Sequence, residues 1–331
     1  MPKIRKVFIT GITGFVGSHL ADYILANHPD TKIIGFLRWR SPKDNIKHIL
    51  NKIQLEYGDL IDLSSIKSAI NKHRPDAIFH LAAQSYVDFS FRAPVKTLED
   101  NVIGTCNLLE TVKELKLSSK YDPVIHVCSS SEVYGQVTKS EVPIKETNPF
   151  RPASPYAVSK VGEDMLALQY WLSWKIKTIR TRMFTHTGPR RGEVFALSNF
   201  AKQVAAIETG LQEPIIKVGN LKSVRTWMDV RDAVRAYWLL ANKCKPGEVY
   251  NIGGVETMTI GQMLNMLLKL SARKDIKIVV DPARLRPSDV TLQIPSAAKF
   301  KKETSWKPKI QFKDTVKDTL DYWREHLRVI K

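Results

Sequence analysis

The stretch Lys6-Val7-Phe8-Ile9-Thr10-Gly11-Ile12-Thr13-Gly14-Phe15-Val16-Gly17 constrains the fold more than any other part of this chain. A short apolar run ends in three evenly spaced glycines. Leu20, Tyr23 and Ile24 then recur at helical spacing. That order predicts a strand, a tight turn and a helix. The turn leaves main-chain N–H groups open at the helix N-terminus, where a negative charge is favoured.

The same alternation continues. Strands are predicted at 32–37, 53–60, 77–84, 123–128 and 178–184, with helices over 97–117 and 154–175. Repeated strand–helix units predict a parallel, doubly wound α/β sheet, which binds ligands beyond the carboxyl ends of its strands. In that context Gly11, Gly14 and Gly17 read as a Rossmann-type dinucleotide turn. A carboxylate ending the second strand would mark NAD, but the chain runs Arg38-Trp39-Arg40 there. Arginine forks match a 2′-phosphate, so NADP is expected, with NAD as the alternative. Asp59 either caps the next helix or meets the adenine. His80, inside an apolar strand, reads as a satisfied core histidine.

Composition changes after residue 184. Residues 1–184 are expected to form the dinucleotide-binding domain, with 226–252 returning to it. Residues 185–331 are expected to form mainly a smaller C-terminal α/β substrate domain. Its loops carry arginines at Arg190, Arg191, Arg225 and Arg286, a set suited to a diphosphate. The long helix over 154–175 spreads apolar side chains around more than one face, which fits a subunit interface.

The net charge of +18 raises the question of nucleic acid, but no run of five or six basic residues occurs and no aromatics interleave with them. No nucleic-acid partner is expected. No apolar run is long enough for a membrane span, and the basic N-terminus does not read as a signal peptide. The three cysteines are odd in number and widely spaced. They show no metal-ligand spacing and fit a reducing, cytoplasmic setting.

The chemistry concentrates in two segments. Cys128-Ser129-Ser130-Ser131-Glu132-Val133-Tyr134-Gly135 reads as a strand end opening into a loop. Tyr156-Ala157-Val158-Ser159-Lys160 reads as the start of a helix. Tyr156 and Lys160 share a helix face. A neighbouring ammonium favours phenolate, so the phenol can act as a base near neutral pH. Glu132 offers a second base, and Ser130 a hydroxyl.

With these motifs in place, the chain resembles the extended short-chain dehydrogenase/reductase family over nearly its whole length. Gly11/Gly14/Gly17 and the Tyr156–Lys160 pair carry that resemblance. Ser129 to Gly135 is similar to the strand-end motif of the nucleotide-sugar 4,6-dehydratases, those acting on GDP-mannose above all. Ala82-Ala83-Gln84-Ser85, Pro189-Arg190-Arg191-Gly192-Glu193-Val194-Phe195, Arg225-Thr226-Trp227 and Arg286-Pro287 support it. The resemblance implies a GDP-sugar 4,6-dehydratase with Ser130, Glu132, Tyr156 and Lys160 catalytic. It places Gly11, Thr13, Gly14, Phe15, Val16, Gly17, Arg38, Asp59, Leu60, Ala82, Ala83, Gln84, Tyr156 and Lys160 at the cofactor. It places Ser85, Ser131, Thr185, Arg190, Arg191, Val194, Phe195, Lys202, Arg225 and Arg286 at the substrate. No metal is implied, and a homodimer or homotetramer is.

Three positions depart from the pattern. Ser130 stands where threonine is usual, Phe15-Val16 where this branch has Gln-Asp, and Thr185 where asparagine helps hold the sugar. The sugar is therefore a GDP-hexose or GDP-heptose rather than mannose alone. A 4-epimerase or 4-keto reductase of the same family is the alternative, because neither needs a base at C5. A non-catalytic nucleotide-sugar or NADP-binding protein is the alternative from another class.

Overall fold

The structure is a computed structural model that describes residues 3–285 and 287–328. In chain order the first half runs β1 (Lys6–Thr10), α1 (Phe15–Asn27), β2 (Lys32–Leu37), β3 (Gln54–Tyr57), α2 (Leu63–His73) and β4 (Ala77–His80). Then come α3 (Val87–Arg92), α4 (Pro94–Leu98), a π turn (Glu99–Ile103), α5 (Gly104–Ser119), β5 (Val124–Ser130), α6 (Pro155–Trp174) and β6 (Thr178–Met183). The second half runs β7 (His186–Thr187), α7 (Ala196–Glu208), β8 (Ile215–Val218), β9 (Val224–Asp229), α8 (Val230–Lys243) and β10 (Val249–Ile252). It ends with β11 (Glu256–Thr259), α9 (Ile260–Leu270), β12 (Lys277–Val280), β13 (Leu292–Gln293), α10 (Ala298–Thr304) and α11 (Phe312–Arg328).

Seven strands form one parallel sheet in the order β10-β6-β5-β4-β1-β2-β3. This is the doubly wound Rossmann arrangement, with the strand order reversing between β1 and β4. Both faces are covered, so the central strands β1, β2 and β4 read as nearly unbroken apolar runs. Val7 and Ile9 pack on the side of α1 and α8 with Leu20, Ile24 and Tyr237. Phe8, Ile34 and Phe36 pack on the opposite side with Ile70, Leu108 and Ala167.

The chain leaves this sheet after β6 and re-enters it through α8 and β10, which pairs Val249–Ile252 with Arg180–Met183. A separate core in the second half gathers Phe200, Val204, Trp227, Leu264, Val316, Leu320 and Trp323. Around it β9 pairs with β7, β11 and β13, and β8 pairs with β12. No helix among the described residues is long and apolar enough to cross a membrane, and none of those residues cluster as a metal site.

His80 is indeed a core residue: its ring lies 2.9 Å from both the Thr10 and Thr105 hydroxyls. His126 sits 2.8 Å from the Thr181 hydroxyl. Burial holds both rings neutral, each with its pKa lowered to about 3. An unfolded histidine titrates near pH 6.5, so the unfolded chain takes up protons first as pH falls. Stability contributed by a neutral buried ring is therefore full above that value and lost below it. The stability gap between the native chain and a His126→Gln variant should close by about 2 kcal/mol on going from pH 6.5 to 5. Urea midpoints at the two pH values measure it, and a constant gap would contradict the assignment.

Candidate active site

β5 is buried along its length and ends at Ser130, whose hydroxyl caps the following 3₁₀ turn by accepting from Glu132 N at 3.2 Å. The turn closes at Gly135, with φ +57°. A Cβ there would lie 1.7 Å from the Arg151 carbonyl oxygen, so only glycine fits. Tyr134 anchors the turn from beneath, donating to Asn251 Oδ1 at 2.7 Å and accepting from Arg182 at 3.0 Å.

The Ser154 hydroxyl caps α6 by accepting from Ala157 N at 3.1 Å, and Pro155 occupies the first turn. The helix then lays Tyr156 and Lys160 against the end of β5. Lys160 Nζ donates to the Cys128 carbonyl and to Glu163 Oε2, each at 2.9 Å. It also lies 5.9 Å from the centre of the Tyr156 ring. Tyr156 hydrogen-bonds Ser130. Burial raises the phenol above its usual range, while Lys160 and Ser130 pull it back down. Ser129 is structural: its hydroxyl donates to the Lys160 carbonyl at 3.2 Å.

Ser130, Ser131, Glu132 and Tyr156 face one cleft of about 750 Å³. Gln293, from the two-residue strand β13, reaches into it and donates to Glu132 Oε1 at 3.1 Å. Sequence reasoning missed Gln293, because nothing local links positions 161 residues apart. The cleft continues past Ser85, Thr185, Val194 and Phe195 towards Lys202 and Arg225.

The basic residues separate. Arg191 turns into the cleft, its guanidinium 4.9 Å from the Phe15 ring centre and 3.9 Å from that of Phe195. Burial lowers its pKa to about 10. Arg190, with φ +66°, turns the other way and pairs with Asp22 on α1 at 2.7 Å. Lys202 pairs with Glu193. Arg225 donates to the carbonyls of Val224 and Val290 at 3.0 and 2.5 Å. Arg284 also lines the cleft and donates to Asn199 Oδ1 at 2.7 Å. Arg286 lies outside the described residues.

A second cradle opens where β1 and β4 end. Gly11 has φ +71°, and a Cβ on it would come 2.9 Å from Ala82 Cα. On Gly17 a Cβ would lie 2.2 Å from the Gly11 oxygen. Thr10 ties the two strand ends together, its hydroxyl accepting from Leu81 N and Ala82 N at 3.0 and 3.1 Å. Helix α1 starts without a side-chain cap. Its first N–H groups are thus left for an anion. Thr13, Val16 and Ala83 are half-buried around this turn.

Arg38 is exposed at the end of β2, and Arg40 stacks 4.6 Å over exposed Trp39. Asp59 does not cap α2; its carboxylate accepts from Ile61 N at 3.2 Å, and Asp62 is the helix cap. Leu60 packs where a Cβ on Gly104 would be, at 2.9 Å. Gln84 turns its amide away from the cradle, to Tyr86 and Thr97.

Three comparisons bear on this geometry. The family model described as GDP-mannose 4,6 dehydratase matches residues 8–319. The chain is similar to the GDP-6-deoxy-D-mannose reductase of Pseudomonas aeruginosa, 33% identical over 98% of this chain and 99% of that protein. It is similar to the GDP-mannose 4,6-dehydratase of Vibrio cholerae serotype O1, 32% identical over 95% of this chain and 92% of that protein. The solved structure of RMD from Pseudomonas aeruginosa complexed with NADPH superposes with a TM-score of 0.83 at 31% identity, covering 97% of this chain and 99% of the other.

Proposed function

The chain belongs to the GDP-mannose 4,6 dehydratase family, and from that premise we propose that it converts GDP-mannose, or a close GDP-hexose or GDP-heptose, to the 4-keto-6-deoxy sugar. One observation carries this reading: Glu132 shares a cleft with Ser130 and Tyr156 and is held there by Gln293. Oxidation at C4 needs only the hydroxyl, phenol and ammonium. A carboxylate beside them supplies the base that elimination requires.

NADP is the expected cofactor, with NAD the alternative, because β2 runs into Arg38 and Arg40 with no carboxylate among them. The cradle fits a pyrophosphate, since Gly11 and Gly17 leave no room for side chains and the start of α1 is uncapped. Bound there, a nicotinamide would supply hydride transfer between C4 and C6 of the sugar. The chain's own residues move protons. Tyr156 takes the proton of the sugar 4-hydroxyl, Ser130 hydrogen-bonds that oxygen, and Lys160 steadies the phenolate and holds the ribose. The new 4-ketone acidifies C5. Glu132 removes that proton and hands it to the hydroxyl leaving C6, which departs as water, and the proton that Tyr156 took from the 4-hydroxyl balances the one C5 regains. Arg191 and Arg225 suit the diphosphate.

A second reading, a 4-keto-sugar reductase, rests on the reductase relative, whose length this chain covers to 99% against 92% for the dehydratase. There Tyr156 donates a proton and Glu132 is idle. Mass spectrometry of the purified chain with NADP⁺ and GDP-mannose separates the two. A product lighter by one water is expected, and Glu132→Gln should slow its formation by about 10²–10⁴-fold. NADPH oxidation by a GDP-4-keto-6-deoxy sugar at an undiminished rate in Glu132→Gln, with GDP-mannose inert, would select the reductase.

Self-association as a dimer or tetramer through α5 and α6 is part of this reading. Leu117 is 72% exposed, Leu172 59% and Val158 46%. The three free cysteines fit a reducing cytoplasm.

A further inference from the structure

We propose that Glu163 is a latch on Lys160: ionised, it holds the ammonium behind the cleft, and protonated, it releases the ammonium to the cofactor. This rests on the reading of Lys160 as the residue that holds the nicotinamide ribose.

The geometry is specific. Lys160 is 5% exposed and Glu163 1%, one helical turn apart on α6. Their contact is 2.9 Å, and the Cys128 carbonyl takes a second N–H at the same distance. Two of the three ammonium N–H groups are thus committed to Cys128 and Glu163, neither of which lines the cleft, and a ribose held through more than one hydroxyl must displace one of them. A buried ion pair is a costly way to fill a core, and an apolar pair of similar size is often as stable. The Glu163 carboxylate is also incompletely satisfied, because Oε1 is buried without a hydrogen-bond partner in the protein. An ionised oxygen so placed is unfavourable, and protonation relieves it.

The surroundings leave Glu163 as the group that changes charge. Burial raises its pKa to about 7, the Lys160 charge opposing that rise and neighbouring Asp164 adding to it. Asp164 cannot take its place, because its oxygens are held by Arg180 and Arg182 at 2.9 and 2.8 Å. From the sheet, burial raises the Cys128 thiol, and Tyr237 on α8 rises well above its usual range. His80 and His126 stay neutral. Tyr156 is raised, chiefly by burial. On the helices packed against α6, Asp88–Arg92, Lys96–Asp100 and Glu110–Lys113 pair with one another.

The test is NADPH affinity against pH, read from the quenching of tryptophan fluorescence in the native chain and in Glu163→Gln. It needs no sugar substrate, so a wrong substrate assignment leaves it intact. Native affinity should fall about tenfold more than that of Glu163→Gln between pH 6 and 8, a difference equal to about one hydrogen bond to a charged group. Ionisation of the 2′-phosphate is common to both proteins and cancels. Parallel loss of affinity would overturn the proposal, as would a Glu163→Gln chain that binds more weakly at every pH. Should Glu163→Gln fail to fold, Glu163→Asp serves. Its shorter reach should weaken the pH dependence, and a profile matching the native one would overturn the proposal.

Discussion

A Tyr156→Phe chain should lose about 10²–10⁴-fold in kcat while its folding and substrate KM stay near native values. The ring stays, so the packing that leaves Tyr156 9% exposed is preserved. What goes is the single hydroxyl that meets Ser130 and faces the Lys160 charge. Neither neighbour can replace it. Ser130 is a poor base, and although burial lowers the Lys160 pKa, the Glu163 charge beside it more than offsets that and keeps the ammonium protonated, above its usual range. Steady-state kinetics beside a thermal melt decide the matter. A loss under tenfold would move the proton-transfer role elsewhere, and Glu132 would be the next candidate. A large rise in KM with unchanged kcat would make Tyr156 a binding residue only.

Asp164→Ala should cost stability on the scale of about 3–5 kcal/mol, the usual penalty for breaking one side of a buried ion pair. Asp164 is fully buried, and Arg180 and Arg182 are each 4% exposed. Burial pushes Arg180 below its usual pKa. Arg182 is also penalised by burial, but its hydrogen bonds to Asp164 and Tyr134 more than offset that and leave it raised. Without the carboxylate, two guanidinium groups remain in the interior with no counter-charge between them. The damage reaches the turn Ser131–Tyr134, because Arg182 also donates to the Tyr134 hydroxyl and to the Glu146 carbonyl at 3.0 and 2.8 Å. Urea unfolding measures the loss. A midpoint within error of the native one would show that water or a rearranged side chain neutralises the arginines.

How much of this was legible before the structure differs from element to element. Sheet strands and the helices at the site announce themselves through local pattern, since an apolar run, a glycine turn or a serine cap acts within a few residues. Of the segment 226–252, Val249–Ile252 pairs with β6 in the first sheet, while residues 226–229 belong to β9, which pairs with β7, β11 and β13. The helix expected over 97–117 is interrupted by the π turn Glu99–Ile103. Periodicity did not show it, because its cause is distant: Asn101 is drawn inward by Gln84 and Ser159. Arg190 and Arg191 looked alike as neighbours in one basic loop. A left-handed backbone at Arg190 sends the two to opposite sides, and that angle has no signature in a residue that is not glycine. Gln293 was invisible because a strand of two residues has no period. The strand β12, exposed at every position, carries no alternation to mark a face.

The re-entry of the chain through α8 and β10 has a consequence for biogenesis. A nascent polypeptide emerges from the ribosome in order, and residues 124–183 are synthesised well before 230–252. During that interval the outer edge of β6 has no partner strand. Tyr237 is not yet there to cover His126, against which its ring finally sits at 4.3 Å, or to meet Cys128 at 3.2 Å. An open strand edge, with its main-chain groups unpaired, is a template for mispairing with another chain. The half that carries Ser130, Tyr156 and Lys160 is therefore complete only after translation has passed Ile252.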